Sequence, residues 1–403
     1  MAQISAPMET PHRAWLLATL ASVVLLLLLG AIGPGAWDTL SIDVRHRWVA
    51  LTAPRAPSDV GQTVPALGMN VFLEQEVETD KRQRSLDLLQ AAGVTWIRQE
   101  LPWEQIEAVA KGQTVDATFG GSTWDKFDDI VSRASATGLR VMFRLDTSPR
   151  WALQAGAPDG LSPPLNDNDY FDFVGQVAAR YRGRVSAYQI WNEPNLTSEW
   201  GRRPPDAAAY ALLLRGAASR IRAADPSALV VMAALSPTLT ENSDALNELV
   251  YLQQLYDAGA RGSFDVLAVQ AYGLRGGPDD PRIDNSDVTF SRPVLVHQVM
   301  VSNGDANVPV WATEMGWNVN PASFRTQEFG RVTPALQARY TVRAFERAGQ
   351  QWPWMQVGFV WYWRRPDNTN RDQDWFWFRV ADPDFTLQPV YYALRDAAQS
   401  GWR

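Results

Sequence analysis

Two glutamates, Glu193 and Glu314, have sequence surroundings that fit acid–base chemistry. Each follows a short apolar run and stands in a short motif, residues 191–194 for the first and 313–317 for the second. An apolar run that stops at a carboxylate is typical of a buried parallel strand that presents an acid at its carboxyl end. The two acids are far apart in the chain, so only a fold that gathers distant strand ends can pair them.

The residue inventory narrows the chemistry further. The chain has no cysteine and only three histidines, His12, His46 and His297. Thiolate chemistry is therefore excluded, and a Ser-His-Asp triad or a histidine-rich zinc site is nearly so. By elimination, carboxylates are the side chains expected to carry out acid–base catalysis. The 18 tryptophans offer flat faces for sugar rings, although many of them will simply fill the core.

Composition sets the class of protein and its partners. The 403 residues are 46% hydrophobic and 20% charged, as in an ordinary globular protein with a large core. The formal net charge of −7 argues against a nucleic-acid partner. We expect a monomer that needs no metal and no other cofactor.

The N-terminal region predicts a membrane anchor. After a tail, residues 1–13, the stretch 14–33 carries no charge and matches the roughly 20 residues that cross a bilayer. An Ala-x-Ala-like cleavage site is poor here, which favours an uncleaved anchor over a signal peptide. Residues 34–65 then read as a juxtamembrane linker. By the positive-inside rule, the arginines that flank this stretch weakly favour a cytoplasmic globular part. We nevertheless place the globular part outside the cytoplasm, because polysaccharide substrates are found there.

From residue 66 to residue 403, strand-like and helix-like runs alternate eight times. This pattern predicts an α/β fold, a (β/α)₈ TIM barrel in one domain. A doubly wound sheet is the alternative, but the Gly-rich phosphate turn that usually accompanies it is absent. The expected strands are Ala66–Phe72, Val94–Gln99, Leu139–Leu145, Ala187–Glu193, Ala228–Ala233, Val266–Tyr272, Val310–Glu314 and Val357–Trp363.

The two-residue period of a strand predicts which side chains face the barrel lumen. It places Glu193 on one face with Gln189 and Trp191, and Glu314 on one face with Val310 and Ala312. Both acids should therefore lie at the carboxyl end of the barrel, where active sites of this fold occur. By the same parity the following strand-end side chains should join them: Arg98, Gln270, Tyr272, Trp361 and Trp363. Asp146, after the third strand, has no assigned role.

The motifs Trp191-Asn192-Glu193-Pro194 and Thr313-Glu314-Met315-Gly316-Trp317 resemble the two catalytic signatures of clan A glycoside hydrolases. The likeness is closest to family 39 and family 5 bacterial members and covers residues 66–403. It implies a retaining glycosidase of a β-linked glycan, with Glu193 as general acid/base and Glu314 as nucleophile.

The resemblance also implies roles for neighbouring residues. Arg98 and Tyr272 would attend the nucleophile, and Asn192 would bind the sugar 2-hydroxyl. Many members carry histidine where this chain has Gln270, so the chain keeps a hydrogen-bonding side chain at this position but departs from the histidine of those members. We also expect Trp361, Trp363 and Trp317 to bind substrate.

Other interpretations stay open at this stage. A strand-end glutamate can cap a helix, Arg98 can be a structural ion-pair partner, and Tyr272, Trp361 and Trp363 can be packing residues. The barrel could bind a glycan without cleaving it, or transfer the sugar to another hydroxyl with the same two acids. A metal-dependent hydrolase is disfavoured because strand ends lack a His/Asp ligand cluster.

Overall fold

The structure is a computed structural model that describes residues 64–402 except residues 119, 159, 284–285 and 325–326. The predicted tail, the predicted anchor and nearly all of the predicted linker lie outside the described residues, so their boundaries stay predictions. Within the part of the chain that the structure describes, we find no helix whose length and apolar character would let it span a bilayer.

Eight parallel strands form the centre of the fold, as the alternating pattern predicts. They are β1 (Ala66–Val71), β2 (Trp96–Pro102), β3 (Arg140–Asp146), β4 (Ala187–Ile190), β5 (Leu229–Met232), β6 (Leu267–Tyr272), β7 (Val310–Gly316) and β8 (Met355–Val360). Their order in the sheet is β5-β4-β3-β2-β1-β8-β7-β6. Between the two outer strands the Met232 N–H donates to the Val266 carbonyl at 3.0 Å, and this bond closes the sheet into a barrel.

A helix follows each strand along the chain. The eight longer helices are α1 (Thr79–Ala91), α2 (Asp125–Ala136), α3 (Asp167–Arg180), α4 (Ala207–Ala224), α5 (Glu248–Asp257), α6 (Pro293–Ser302), α7 (Pro334–Gln351) and α8 (Pro389–Gln399), and a single helical turn, Trp103–Ile106, follows β2 directly. The start of α7 is capped: the Thr333 hydroxyl accepts from the Leu336 N–H at 3.2 Å, with proline at the first helical position. Gly93 ends the first βα unit with φ of 79°, a conformation that glycine adopts without strain.

Two of the three apolar clusters in the described residues pack the barrel itself. The larger one lies between the strands and the surrounding helices. A smaller one fills the lumen, where Trp96, Trp311 and Phe359 meet with ring centroids 4.9–6.5 Å apart. These aromatic side chains close the barrel beneath the carboxyl ends of the strands. Polar side chains nearer those ends therefore face a cavity with a solid floor.

Candidate active site

A cavity of about 760 Å³ opens at the carboxyl ends of the strands. Side chains from β2, β3, β6 and β7 line it together with residues of the loops that follow β4 and β8. Both predicted acids, Glu193 and Glu314, lie in its wall. This is the size of a site for a small ligand or a few sugar rings.

Glu314 is held by two donors. Arg98 Nη1 donates to Glu314 Oε1 at 2.9 Å, and the Tyr272 hydroxyl donates to Glu314 Oε2 at 2.7 Å. The arginine and the glutamate are both buried, with 3% and 6% of their side chains exposed. Each carboxylate oxygen thus has a partner, and the side chain is fixed in one orientation towards the cavity.

Arg98 is in turn held by three neutral acceptors. Its guanidinium donates to Asn70 Oδ1 at 2.7 Å, to Gln189 Oε1 at 2.9 Å and to Asn192 Oδ1 at 3.1 Å. Burial lowers the pKa of Arg98 and the nearby Glu314 carboxylate raises it, with burial prevailing. A rigid fork with several donors suits this role, since a flexible ammonium could not reach all four partners.

Glu193 has a contrasting environment. Its carboxyl accepts a hydrogen bond from Gln270 Nε2, and its position in the cavity wall lacks a direct cationic partner among the described residues. Burial, then the Glu199 charge and then the Glu314 charge raise the pKa of Glu193 to about 8. At neutral pH this carboxyl therefore holds a proton and can donate it.

The structure corrects the predicted parity at the end of β4. That strand ends at Ile190, and the next residues Trp191 and Glu193 have φ of 69° and 41°, in the left-handed region. Trp191 consequently points away from the cavity and packs between Tyr170 and Trp200. The prediction that Trp191 shares a face with Glu193 was therefore wrong.

A second correction concerns β7. Ala312 pairs with Val269 of β6, but Gln270 pairs with Glu314, so Thr313 is an extra residue on this strand. The bulge reverses the parity: Trp311 lies in the lumen, whereas Val310 and Ala312 belong to the outer core. Glu314 faces the cavity as predicted, although Val310 and Ala312 do not share its face.

The predicted substrate-binding residues fall into two groups. Asn192, Gln270, Tyr272 and Trp361 line the cavity, and Arg98 lies directly behind Glu314 and Asn192. Trp317 and Trp363 do not line it. Trp317 is fully buried and donates to the Gly276 carbonyl at 2.7 Å, and Trp363 is 1% exposed beside Tyr391. Both are core residues in this structure, so we do not carry them into the proposed substrate site.

Sequence reasoning missed a charged wall of the cavity. Arg144 bridges Glu100 and Asp146 at 2.9 and 2.7 Å, and Glu199 lies nearby in the loop after β4. Burial and the charge of Glu100 raise the pKa of Asp146 to about 6, against the lowering effect of Arg144. The period-two pattern Trp96, Arg98, Glu100 on β2 could have indicated the inward position of Glu100. Nothing comparable marks Glu199, because it lies in a loop.

Within the described ranges, no three His, Cys, Asp or Glu side chains are grouped so that they could hold a metal ion. The arrangement instead offers a fixed carboxylate, a protonated carboxyl and amide donors around one cavity. Such a set can attack and protonate the two atoms of one bond.

No protein-family model matches this chain, and no curated protein matches it either. Among solved structures, a family 39 glycoside hydrolase from the gut symbiont Bacteroides cellulosilyticus WH2 aligns with a TM-score of 0.63 and 19% identity, over 84% of this chain and 65% of that one. The family 39 enzyme of Xanthomonas axonopodis pv. citri gives 0.56 and 17%, over 86% and 67%. A GH5_18 protein of Streptomyces cattleya in complex with Manb1-4GlcNAc gives 0.60 and 16%, over 84% and 81%.

These likenesses define the fold class. The chain has the (β/α)₈ barrel fold of the clan A glycoside hydrolases, as its sequence predicts. It spans only about two thirds of the length of the two family 39 proteins, 65% and 67%. At these identities the fold is shared, and the activity has to be argued from the site.

Proposed function

We propose that this protein is a retaining glycoside hydrolase that cleaves a β-linked glycan, with Glu314 as nucleophile and Glu193 as general acid/base. The proposal depends on one observation: the two acids line the same cavity but have different hydrogen-bond partners and different electrostatic surroundings. Arg98 and Tyr272 hold Glu314 for attack, and burial with two nearby negative charges keeps Glu193 protonated. The cavity thus contains a carboxylate suited to act as nucleophile and a carboxyl suited to act as general acid/base, the two groups that a retaining mechanism needs.

In the first step a Glu314 oxygen attacks the anomeric carbon of the bound sugar. The bond between that carbon and the glycosidic oxygen breaks, and the leaving oxygen takes the proton of Glu193. The Asn192 side chain lines the same cavity as both acids, where its amide can bind a hydroxyl of the same sugar. The product is a glycosyl ester on Glu314.

The second step reverses the role of Glu193. Once the ester has formed, the negative charge of Glu314 is gone, and one of the influences that raise the pKa of Glu193 goes with it. Glu193 then takes a proton from water while the water oxygen attacks the anomeric carbon. The ester bond breaks, the sugar leaves with its original configuration, and both acids return to their starting states.

The proposal is tested with a panel of β-linked aryl glycosides and polysaccharides. We expect turnover of at least one substrate, and we expect ¹H NMR during the first minutes to show the β-anomer as the first product. The Glu314→Gln protein serves as the matched control because it keeps the volume of the side chain and removes the nucleophile. A first-formed α-anomer would contradict the retaining mechanism, and binding without turnover would favour a non-catalytic glycan-binding barrel.

The transglycosylase alternative uses the same two carboxylates. It differs only in whether water or another sugar hydroxyl attacks the glycosyl ester, so added acceptor sugars distinguish the two. Hydrolysis as the main reaction predicts that free reducing sugar dominates at millimolar acceptor. A majority of elongated products would assign the protein to transfer.

A further inference from the structure

Aromatic side chains line one side of the cavity that holds both acids. They are Phe329, Trp361, Trp375 and Phe378, and we call them the aromatic wall. They belong to the loops that follow β7 and β8, the last two within a 3₁₀ helix, Asp374–Phe378. Phe378 is buried, whereas the other three rings are partly exposed. A ring that stays partly open at a cavity can pack on the C–H face of a sugar.

The aromatic wall begins at the proposed nucleophile. Tyr272, whose hydroxyl donates to Glu314 at 2.7 Å, packs edge-on against Phe378 with ring centroids 5.5 Å apart. In the strand order β8 is four places from β4, so the loop with Trp375 starts across the barrel from the loop with Glu193. In the proposed mechanism the aglycone takes its proton from Glu193. The wall therefore lies towards the sugar that stays on the enzyme and towards the units on its non-reducing side.

The Asp374 carboxylate joins the two loops of the aromatic wall. The Asn318 side-chain amide donates to Asp374 Oδ1 at 2.8 Å, and the Asn320 amide donates to the same oxygen. The Phe329 N–H donates to Asp374 Oδ2 at 3.5 Å. Because Trp375 is the next residue, these bonds fix its position relative to Phe329. The wall is thus one preorganised surface, which lowers the entropic cost of binding a ligand.

The Trp375 indole packs on a cation. The guanidinium carbon of Arg365 lies 4.9 Å from the centroid of the Trp375 ring and 3.5 Å from that of Phe72. Arg365 Nη1 also donates to Gln75 Oε1 at 3.2 Å, which ties the guanidinium to the segment after β1. These contacts hold the indole in place. Its exposed part faces the cavity, where it can contact a ligand.

Polar side chains line the same cavity from β2, β3 and the residue after β3. They are Glu100, Arg144 and Thr147. Arg144 Nη2 contacts Glu100 Oε1 at 2.9 Å, and the Thr147 hydroxyl donates to Asp146 Oδ1 at 2.9 Å. Only β1 lies between β2 and β8 in the sheet, so the polar groups stand beside the loop with Trp375. A sugar needs both surfaces, since it has an apolar C–H face and a rim of hydroxyl groups.

Resting on the function proposed above, we infer that Trp375 and Phe329 form a subsite for a second sugar unit, on the non-reducing side of the sugar that Glu314 attacks. The substrate is then a β-linked oligosaccharide or polysaccharide, cleaved at least two units from its non-reducing end. A glycoside of a single sugar is a poor substrate by comparison. The two aromatic residues contribute binding energy and take no part in bond breaking.

The first test compares substrates of different length in the full 403-residue chain. The probes are 4-nitrophenyl β-glycosides of glucose, xylose, mannose and galactose with one, two or three β-1,3- or β-1,4-linked units. For the sugar that is turned over, we expect kcat/KM for release of nitrophenol to rise at least about 30-fold from one unit to two. Trp375→Ala should reduce that ratio about tenfold, because the longer substrate loses a stacking contact that the shorter one makes least.

Trp354→Ala is the matched control. Trp354 is also partly exposed, but it precedes β8 and stacks on His297 and Trp352 at the opposite end of the barrel. We expect this variant to keep the ratio of the parent. Trp375→Phe retains a flat ring and should recover most of the ratio. Phe329→Ala, expected to reduce the ratio about threefold, keeps the inference testable if Trp375→Ala does not fold.

Binding separates the subsite from catalysis. In the Glu314→Gln protein, isothermal titration calorimetry measures Kd for the free disaccharides and trisaccharides of the same series. We expect Trp375→Ala in this background to raise Kd about tenfold, and Trp354→Ala to leave Kd in place.

The possible outcomes separate the two hypotheses. Turnover without a preference for the two-unit substrate overturns the subsite and leaves the proposed function standing. Tenfold weaker binding in Trp375→Ala, in a protein that turns over none of the series, upholds the subsite and overturns the proposed hydrolysis. An equal reduction in Trp354→Ala overturns the inference, since any tryptophan would then have the same effect. An unchanged ratio and an unchanged Kd in folded Trp375→Ala and Phe329→Ala also overturn it.

Discussion

Glu314 lies directly across the β6–β7 ladder from Gln270, although the pair before it is Ala312 with Val269. Thr313 is the residue without a cross-strand counterpart, and the Asn70 side chain donates to its carbonyl at 2.9 Å. The bulge therefore turns Glu314 into the cavity and places it next to the strand whose Gln270 binds Glu193. A single extra residue brings the two carboxylates to the same wall.

The two acids should respond differently to removal. We expect Glu314→Gln to reduce kcat by at least about 10⁴-fold on every substrate, because no covalent step remains. Glu193→Ala should lose about 10²–10⁴-fold on poor leaving groups but little of the first step on dinitrophenyl glycosides, which need no proton. Pre-steady-state release of dinitrophenol measures that step. Equal losses from both changes on both substrate types would contradict the assigned roles.

The pH dependence of turnover should follow the proton on Glu193. Because its pKa is raised to about 8, we expect kcat/KM to stay high through neutral pH and to fall as pH rises through about 8. The decline should disappear for Glu193→Ala on dinitrophenyl glycosides, for which acid assistance is not needed. A decline that persists in this variant would assign the alkaline limb to another group.

Stability should fall as pH rises across the neutral range. Burial raises the pKa of Glu193 to about 8, of Glu74 and Glu199 to about 7, and of Asp146 to about 6. The folded state thus binds more protons than the unfolded chain from about pH 5 to about pH 8, so the free energy of unfolding decreases through this window. Urea unfolding at pH 5, 6.5 and 8 measures the slope.

A single substitution tests how much Glu193 contributes to the pH dependence of the free energy of unfolding. Glu193→Gln should flatten the pH dependence and should be more stable relative to the parent at pH 8 than at pH 5. Glu328→Gln serves as the control, since this residue is exposed, and should leave the slope unchanged. A parent protein that becomes more stable between pH 5 and pH 8 would show that other groups dominate.

Removing Arg98 should cost stability as well as activity. Its guanidinium joins four side chains of β1, β4, β7 and the loop after β4. We expect Arg98→Met to lower the free energy of unfolding by about 3–5 kcal/mol, because Glu314 would be left as an uncompensated buried charge. Urea unfolding of the double variant Arg98→Met with Glu314→Gln supplies the control. We expect it to recover part of the loss, and strictly additive losses would contradict the coupling.

The two tryptophans after β8 should behave in opposite ways. Trp363 is 1% exposed and packs on Tyr391, so Trp363→Ala should lower the free energy of unfolding by about 3–5 kcal/mol. Trp361 lines the cavity, so Trp361→Ala should raise KM at a smaller cost in stability. Thermal unfolding and initial rates on one substrate decide between them. A raised KM in folded Trp363→Ala would restore the predicted substrate role of that residue.

Sequence pattern predicted the barrel because alternating strands and helices leave few arrangements. It also indicated both acids, since each stands at the end of an apolar run. Parity failed at Trp191 and at Ala312 for a common reason. Left-handed backbone after Ile190 and the bulge at Thr313 both break the two-residue period just where each strand meets the site.

Side chains that connect several strands were hardest to foresee. Asn70 and Gln189 become partners of Arg98 only when β1, β2 and β4 are neighbours. The charged wall of Glu100, Arg144 and Glu199 likewise combines two strands with a loop. Trp317 and Trp363 follow strands as Trp361 does, and only the packing of the finished fold assigns the first two to the core.

The aromatic plug formed by Trp96, Trp311 and Phe359 fills the barrel lumen, and the cavity that holds both acids opens at the carboxyl ends of the strands. In the proposed reaction the departing aglycone and the incoming nucleophile therefore share this opening. Under the proposed mechanism, the molecule that reaches the glycosyl ester first once the aglycone has left, water or another saccharide, would determine the product. Access of water or an acceptor sugar through the mouth of the barrel, rather than the pair of acids, would thus determine whether hydrolysis or transfer occurs.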